Sequence, residues 1–160
     1  MNEFYEKNII SVRDLDKQKL ELIFDATDKI IDMSQDKRRE IARGKTLGYL
    51  FFEPSTRTRL SFESAIALLG GTSVGIADAA SSSIHKGETL GDTVKVISSY
   101  CDVLVLRHSL DGSSRFAAEI SNKPVINAGS GTEEHPTQTI QDLFTIKKEK
   151  KKIDGLKIGI

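Results

Sequence analysis

Between Ser55 and Arg59 five consecutive residues, Ser55, Thr56, Arg57, Thr58 and Arg59, carry a hydroxyl or a guanidinium, and they stand between apolar Leu50-Phe51-Phe52 and an amphipathic run beginning at Leu60. That order takes a strand directly into the first turn of a helix. There the backbone N–H groups lack intrahelical partners and the macrodipole presents its positive end, so an anion settles readily. Three hydroxyl donors and the planar fork of Arg57 would add side-chain ligands for phosphate oxygens, and Pro54 fixes the chain entering the turn. An ordinary N-cap on Ser55 or Thr56 with solvated arginines would account for a single Ser-Thr pair. It leaves the clustering of all five unexplained.

Four more residues invite the same question. Lys86 lies in a polar stretch, Asp78 to Glu88, of about ten residues without an evident element, and loops of that length in compact domains are often functional. Arg107 closes the apolar run Val103 to Leu106, where a buried charge is costly without an anionic partner. His135 precedes Pro136, and Gln138 follows three positions after the histidine. The pair fits a ligand site and a capped helix start equally well. His85 and His108 are assigned structural or surface places, and Cys101, the only cysteine, reads as a buried thiol beside Val103-Leu104-Val105.

These residues need a scaffold that brings distant segments together. Leu20, Ile23, Phe24, Thr27, Ile30 and Ile31 recur at helical spacing after Asp14 and Asp16, which predicts a first helix to about Met33. The charged stretch Asp36 to Arg43 leads to a strand at Thr46 to Phe52, and the helix after it, with Leu60, Ala65, Ile66, Leu68 and Leu69, stops at Gly70-Gly71. Further strands are expected at Thr72 to Ala77, Asp102 to Leu106 and Pro124 to Asn127, and helices at Leu90 to Tyr100, near Arg115 to Ile120, and from Pro136 through Phe144 toward Lys150. Alternating strands and helices imply an α/β fold, a doubly wound three-layer αβα domain around a central parallel sheet. In such sheets ligands gather beyond the carboxyl ends of the strands, where the candidate residues fall.

The 160 residues suit one domain with a sizeable core, and 23 basic against 23 acidic residues leave no overall field directed at nucleic acid or an acidic membrane. A single cysteine excludes an internal disulfide and a multi-cysteine zinc site and fits a reducing cytoplasm. Met1 to Ile10 lacks the apolar core of a signal peptide, and no uncharged apolar run is long enough to span a bilayer, so a soluble protein is expected.

Glu53-Pro54-Ser55-Thr56-Arg57-Thr58-Arg59 followed by Ser61-Phe62-Glu63 resembles the carbamoyl-phosphate signature of the aspartate and ornithine carbamoyltransferases. Three segments follow in that family's order: His85-Lys86-Gly87-Glu88-Thr89-Leu90 with Asp92-Thr93, then Leu106-Arg107-His108, then His135-Pro136-Thr137-Gln138-Thr139 leading to Asp142-Leu143. Phe52-Glu53-Pro54, Lys86-Gly87-Glu88-Thr89 and Arg107-His108 are closer to the aspartate-type versions than to the ornithine-type. The resemblance covers nearly the whole chain.

It implies a transferase of pyrimidine (UMP) biosynthesis that moves the carbamoyl group of carbamoyl phosphate to the amino group of L-aspartate, with no cofactor and no metal. Ser55, Thr56, Arg57 and Thr58 would hold the phosphate, Arg107 would span phosphate and carbonyl oxygen, His135 and Thr58 would donate to that oxygen, and Gln138 would take the carbamoyl amine. The family also uses a serine and a lysine reaching in from a neighbouring subunit. Lys86 matches the lysine, and Ser82, with Ser81 and Ser83 beside it, the serine. A homotrimer with shared sites is implied, with regulatory chains as further partners. Family chains are about twice this long, so residues 1–150 would be the carbamoyl-phosphate domain and residues 151–160, ending in the apolar alternation Leu156 to Ile160, the start of an aspartate-binding domain. By itself such a domain would bind but not turn over. An ornithine-type transferase and a non-catalytic anion-binding or assembly module are the alternatives.

Overall fold

A computed structural model describes residues 3–77 and 87–159 of the chain. Four parallel strands, β1 (Thr46–Phe51), β2 (Thr72–Ile76), β3 (Val103–His108) and β4 (Val125–Ser130), form one sheet in the order β2-β1-β3-β4. The helices are α1 (Lys17–Asp32), α2 (Gln35–Arg39), α3 (Thr56–Leu68), α4 (Leu90–Ser98), α5 (Ser113–Ile120) and α6 (Pro136–Lys150), with a 3-10 turn at Val12–Asp14. Parallel neighbours need crossovers, and helices laid over both faces of the sheet bury it on both sides. Leu50, Leu104, Leu106 and Val125 pack with Val94, Ile97 and Ala117 of α4 and α5, while Leu47, Phe51, Val105 and Ala128 pack with Phe62 and Ile66 of α3. The αβα layering expected from the sequence is therefore present.

The helix termini follow their local chemistry. Asp16 caps α1 through a hydrogen bond from the Lys19 N–H at 2.9 Å, and Thr89 caps α4 by accepting from Asp92 N–H. Helix α3 ends where Gly70 takes a φ of +87°, a left-handed conformation that closes helices and suits glycine. Its inner face is Phe62, Ile66 and Leu69; Leu60, Ala65 and Leu68, which also count toward its apolar content, point outward. Helices α1 and α6 meet through Phe24 and Phe144, whose ring centroids lie 5.6 Å apart, and through the Lys148–Asp28 pair at 2.6 Å.

Three departures from expectation bear on the site. The charged stretch after Met33 contains the short helix α2, too brief for a periodic apolar signal. Strand β3 runs two residues past Leu106, and β4 continues past Asn127 to Ser130, because backbone pairing persists beyond the apolar stretch. Arg107 and Asn127 thus sit within the sheet. Leu156 to Gly159 adopt no strand, since an extended segment needs a paired neighbour and the described sheet provides none there.

Candidate functional site

Strand β1 delivers the chain through Glu53 and Pro54 to Ser55, the N-cap of α3. Ser55 has φ −153° and ψ 74°, and its hydroxyl makes no capping bond to the helix. The first-turn N–H groups are consequently left open beside the hydroxyls of Ser55, Thr56 and Thr58. Arg57 is exposed and has no ion-pair or hydrogen-bond partner for its guanidinium among the described residues.

Arg107 approaches from β3. Its Nη2 donates to Glu53 Oε1 at 2.8 Å, its Nη1 donates to the Ala128 carbonyl at 3.1 Å, and its Nε is buried without a partner. The anionic partner demanded by its partial burial is thus Glu53, from the segment that opens the cradle. A buried donor without a partner is uncommon in folded proteins, and the second N–H of each of Nη1 and Nη2 is not used by the bonds to Ala128 and Glu53.

His135 is the N-cap of α6, and its Nδ1 accepts from the Gln138 backbone N–H at 3.3 Å. The ring therefore does cap the helix. Occupation of Nδ1 by an accepted bond places the ring proton of the neutral form on Nε2, as a donor. Burial, and secondarily the Arg107 charge, holds this histidine's pKa below its ordinary 6.5. The Gln138 side chain does not return to the cap; its Nε2 donates to Asp142 Oδ1 at 2.9 Å, which leaves the amide oxygen as an acceptor.

These side chains face one cavity of about 720 Å³, lined by Ser55, Thr56, Arg57, Thr58, Arg107, His135 and Gln138, with Pro54, Ser61, Phe62, Thr137 and Gln141 completing the wall. Seven sequence-expected residues from three strand ends share it, and no carboxylate of the described residues lines it. Two cations, several hydroxyls, a helix start and a neutral imidazole suit a small dianion that also carries a carbonyl. Ser82 and Lys86 lie outside the described residues. No cluster of three or more His, Cys, Asp or Glu able to hold a metal occurs among the described residues, and none of their helices is long and apolar enough to cross a membrane.

Glu53 and Asn127 are the contributors that sequence reasoning did not single out. Glu53 sits inside the signature, one residue before Pro54, and Asn127 is the lone amide in Val125-Ile126-Asn127-Ala128, a polar residue in an apolar strand. His108, held as a structural residue, accepts from the Leu110 N–H at Nδ1 and packs edge-on against Phe52.

The histidines make stability depend on pH. His108 is also lowered, by burial. The unfolded chain protonates both around 6.5 while the fold keeps them neutral, so the unfolded state binds more protons below that value and stability falls as pH drops. We expect the melting temperature to decline from pH 7.5 to 5.5, and the decline to be shallower in a His108→Gln/His135→Gln double variant. Parallel profiles would show that other groups carry it.

A crevice at the carboxyl ends of parallel strands with this donor set is suited to a small anion. Residues 7–148 match the family model described as "Aspartate/ornithine carbamoyltransferase, carbamoyl-P binding domain", and the chain belongs to that family. It is 72% identical over 160 residues to the aspartate carbamoyltransferase catalytic subunit of Nitrosopumilus maritimus, covering all of this chain and 52% of that protein. It is 50% identical over 159 residues to the corresponding subunit of Thermococcus onnurineus, covering 99% of this chain and 51% of that one. Among solved structures, the catalytic subunit of M. jannaschii aspartate transcarbamoylase superposes with a TM-score of 0.86 at 47% identity, over 94% of this chain and 49% of that one. Trypanosoma cruzi aspartate transcarbamoylase in complex with carbamoyl phosphate and aspartate superposes with a TM-score of 0.84 at 36% identity, over 96% of this chain and 51% of that one. The chain spans about half the length of these relatives.

Proposed function

We propose that this chain is the carbamoyl-phosphate-binding half of an aspartate carbamoyltransferase, acting in pyrimidine biosynthesis in the cytoplasm. Residues 1–150 form the binding domain and residues 151–160 lead into an aspartate-binding domain. The observation that carries the proposal is the convergence of Arg57, Arg107, His135 and Gln138 on one cavity at the strand ends, with no carboxylate of the described residues in its lining.

In the proposed complex the phosphate lies against the first turn of α3, held by the N–H groups, the hydroxyls of Ser55, Thr56 and Thr58, and the Arg57 fork. Arg107 releases Glu53 to bridge phosphate and carbonyl oxygen through the N–H groups of its terminal nitrogens. The amide oxygen of Gln138 accepts from the carbamoyl NH2. The aspartate amine attacks the carbonyl carbon; negative charge builds on the carbonyl oxygen, where Thr58, Arg107 and the Nε2–H of His135 donate. The bond from carbon to the bridging oxygen then breaks, phosphate leaves with the electron pair, and the proton lost by the nitrogen passes to the departing phosphate. One preorganised donor of this type contributes about 100- to 1000-fold to rate. Neutral His135 is suited to donate a hydrogen bond without adding a charge beside the arginines.

Ser82 and Lys86 would complete a neighbouring subunit's site in a homotrimer. The outward apolar face of α3 and the exposed edge strand β2, with Leu60, Leu68 and Val74 solvent-exposed, support an intersubunit surface on that side. Transferase assays offering aspartate or ornithine test the proposal: the chain alone should turn over neither, and a version extended past Ile160 to its relatives' length should produce carbamoyl aspartate. Turnover of ornithine alone would contradict the aspartate assignment, and none from the extended protein would leave a binding module.

A further inference from the structure

Strands β3 and β4 fall out of step beside Arg107. Leu106 pairs with Asn127 and His108 with Ser130, so Ala128 and Gly129 stand opposite the single residue Arg107. That is a β-bulge, a device that re-aims side chains beside functional sites. The bulge turns the Ala128 carbonyl onto Arg107 Nη1 at 3.1 Å, and gives Gly129 a φ of +116°.

Asn127 holds the bulge together. Its side chain is 1% exposed, and its Oδ1 accepts from the Gly129 N–H at 2.9 Å. Its Nδ2 donates to the Ile10 carbonyl at 2.9 Å and to Ser130 Oγ at 3.1 Å. The Gly129 N–H would otherwise be a buried donor without a partner, and the bulge would have reason to relax toward regular pairing. Relaxation would withdraw the Ala128 carbonyl that fixes the guanidinium. We infer that Asn127 is a positioning residue for Arg107, acting through the bulge, while its amide nitrogen separately tethers the N-terminal segment at Ile10. The Nδ2 bonds tether that segment; the Oδ1 bond sets the arginine.

The consequence for affinity rests on the reading of Arg107 as a phosphate ligand, so two readouts are needed. One is the side-chain Nε–H resonance of Arg107 in the ligand-free chain, which is buried and therefore slow to exchange. The other is inorganic phosphate affinity by calorimetry. In Asn127→Ala the Arg107 resonance should broaden or move to the exchange-averaged arginine position, and phosphate affinity should fall about tenfold, roughly the worth of one well-placed bond to a charged group. Asn127→Asp keeps the acceptor for Gly129 N–H and loses the tether, so it should retain the Arg107 resonance while melting earlier. It also carries the test if the alanine variant does not fold. Ser11→Ala, which loosens the N-terminal segment through the loss of its bond to Glu134 at 2.9 Å, should lower the melting temperature and leave the Arg107 resonance in place.

An unchanged Arg107 resonance in folded Asn127→Ala, or its loss in folded Asn127→Asp, overturns the inference. A resonance that responds as expected in a parent chain that does not bind phosphate would refute the phosphate reading and uphold the positioning role.

Discussion

Arg57→Ala should weaken binding of carbamoyl phosphate by about 100-fold while leaving the melting temperature almost unchanged. Arg57 is exposed and unpaired within the described structure, so truncating its side chain breaks no hydrogen bond or ion pair there. Exposed substitutions of that kind usually change stability by no more than about 0.5 kcal/mol. The whole effect should therefore appear in the ligand. A guanidinium offers phosphate two parallel charge-assisted bonds, each worth roughly 1.5–3 kcal/mol, and about 1.4 kcal/mol corresponds to tenfold in affinity. Lysine at the same place would retain the charge but not the fork, so Arg57→Lys should recover only part of the loss. Calorimetry with the alanine and lysine variants checks both statements; unchanged affinity in Arg57→Ala would remove the residue from the site.

Gly129→Ala should reduce both stability and binding. A side chain at a φ of +116° occupies a region that non-glycine residues rarely adopt, a strain of about 1–3 kcal/mol. Its Cβ would also stand 2.8 Å from Arg107 Nη1 and 3.3 Å from His135 Cδ2. The first distance is too short for a real contact, so the guanidinium must move away from the Ala128 carbonyl. We expect the melting temperature to drop by several degrees and phosphate affinity by about tenfold. A folded variant that binds phosphate as tightly as the parent would show that the arginine's observed placement is not needed.

The sequence revealed the two parts of the site that depend on short segments. The hydroxyl and guanidinium run after an apolar strand is local chemistry, and the alternation of strands and helices placed Arg107 and His135 at the same sheet end. The strand limits were harder to see. The strands expected from the sequence end at Leu106 and at Asn127, whereas backbone pairing carries β3 to His108 and β4 to Ser130. The bulge depends on a register difference between strands about twenty residues apart, and only the structure aligns them. The Glu53–Arg107 pair has the same origin: the residues are 54 positions apart and meet because β1 and β3 are neighbours. For His135, capping and ligand binding looked like rivals, but the ring has two nitrogens. One caps the helix and the other is left as the donor.

The central claim is that carbamoyl phosphate binds between the first turn of α3, the β3–β4 bulge and the start of α6. Titrating the chain with a stable methylene analogue of carbamoyl phosphate while following backbone amide resonances tests it directly. The account predicts saturable shifts concentrated at Ser55 to Thr58, Ala128 to Gly129 and His135 to Gln138, with downfield movement of the α3 first-turn amides as they donate to phosphate. Saturable shifts confined to another surface, or none at these amides up to millimolar ligand, would contradict it.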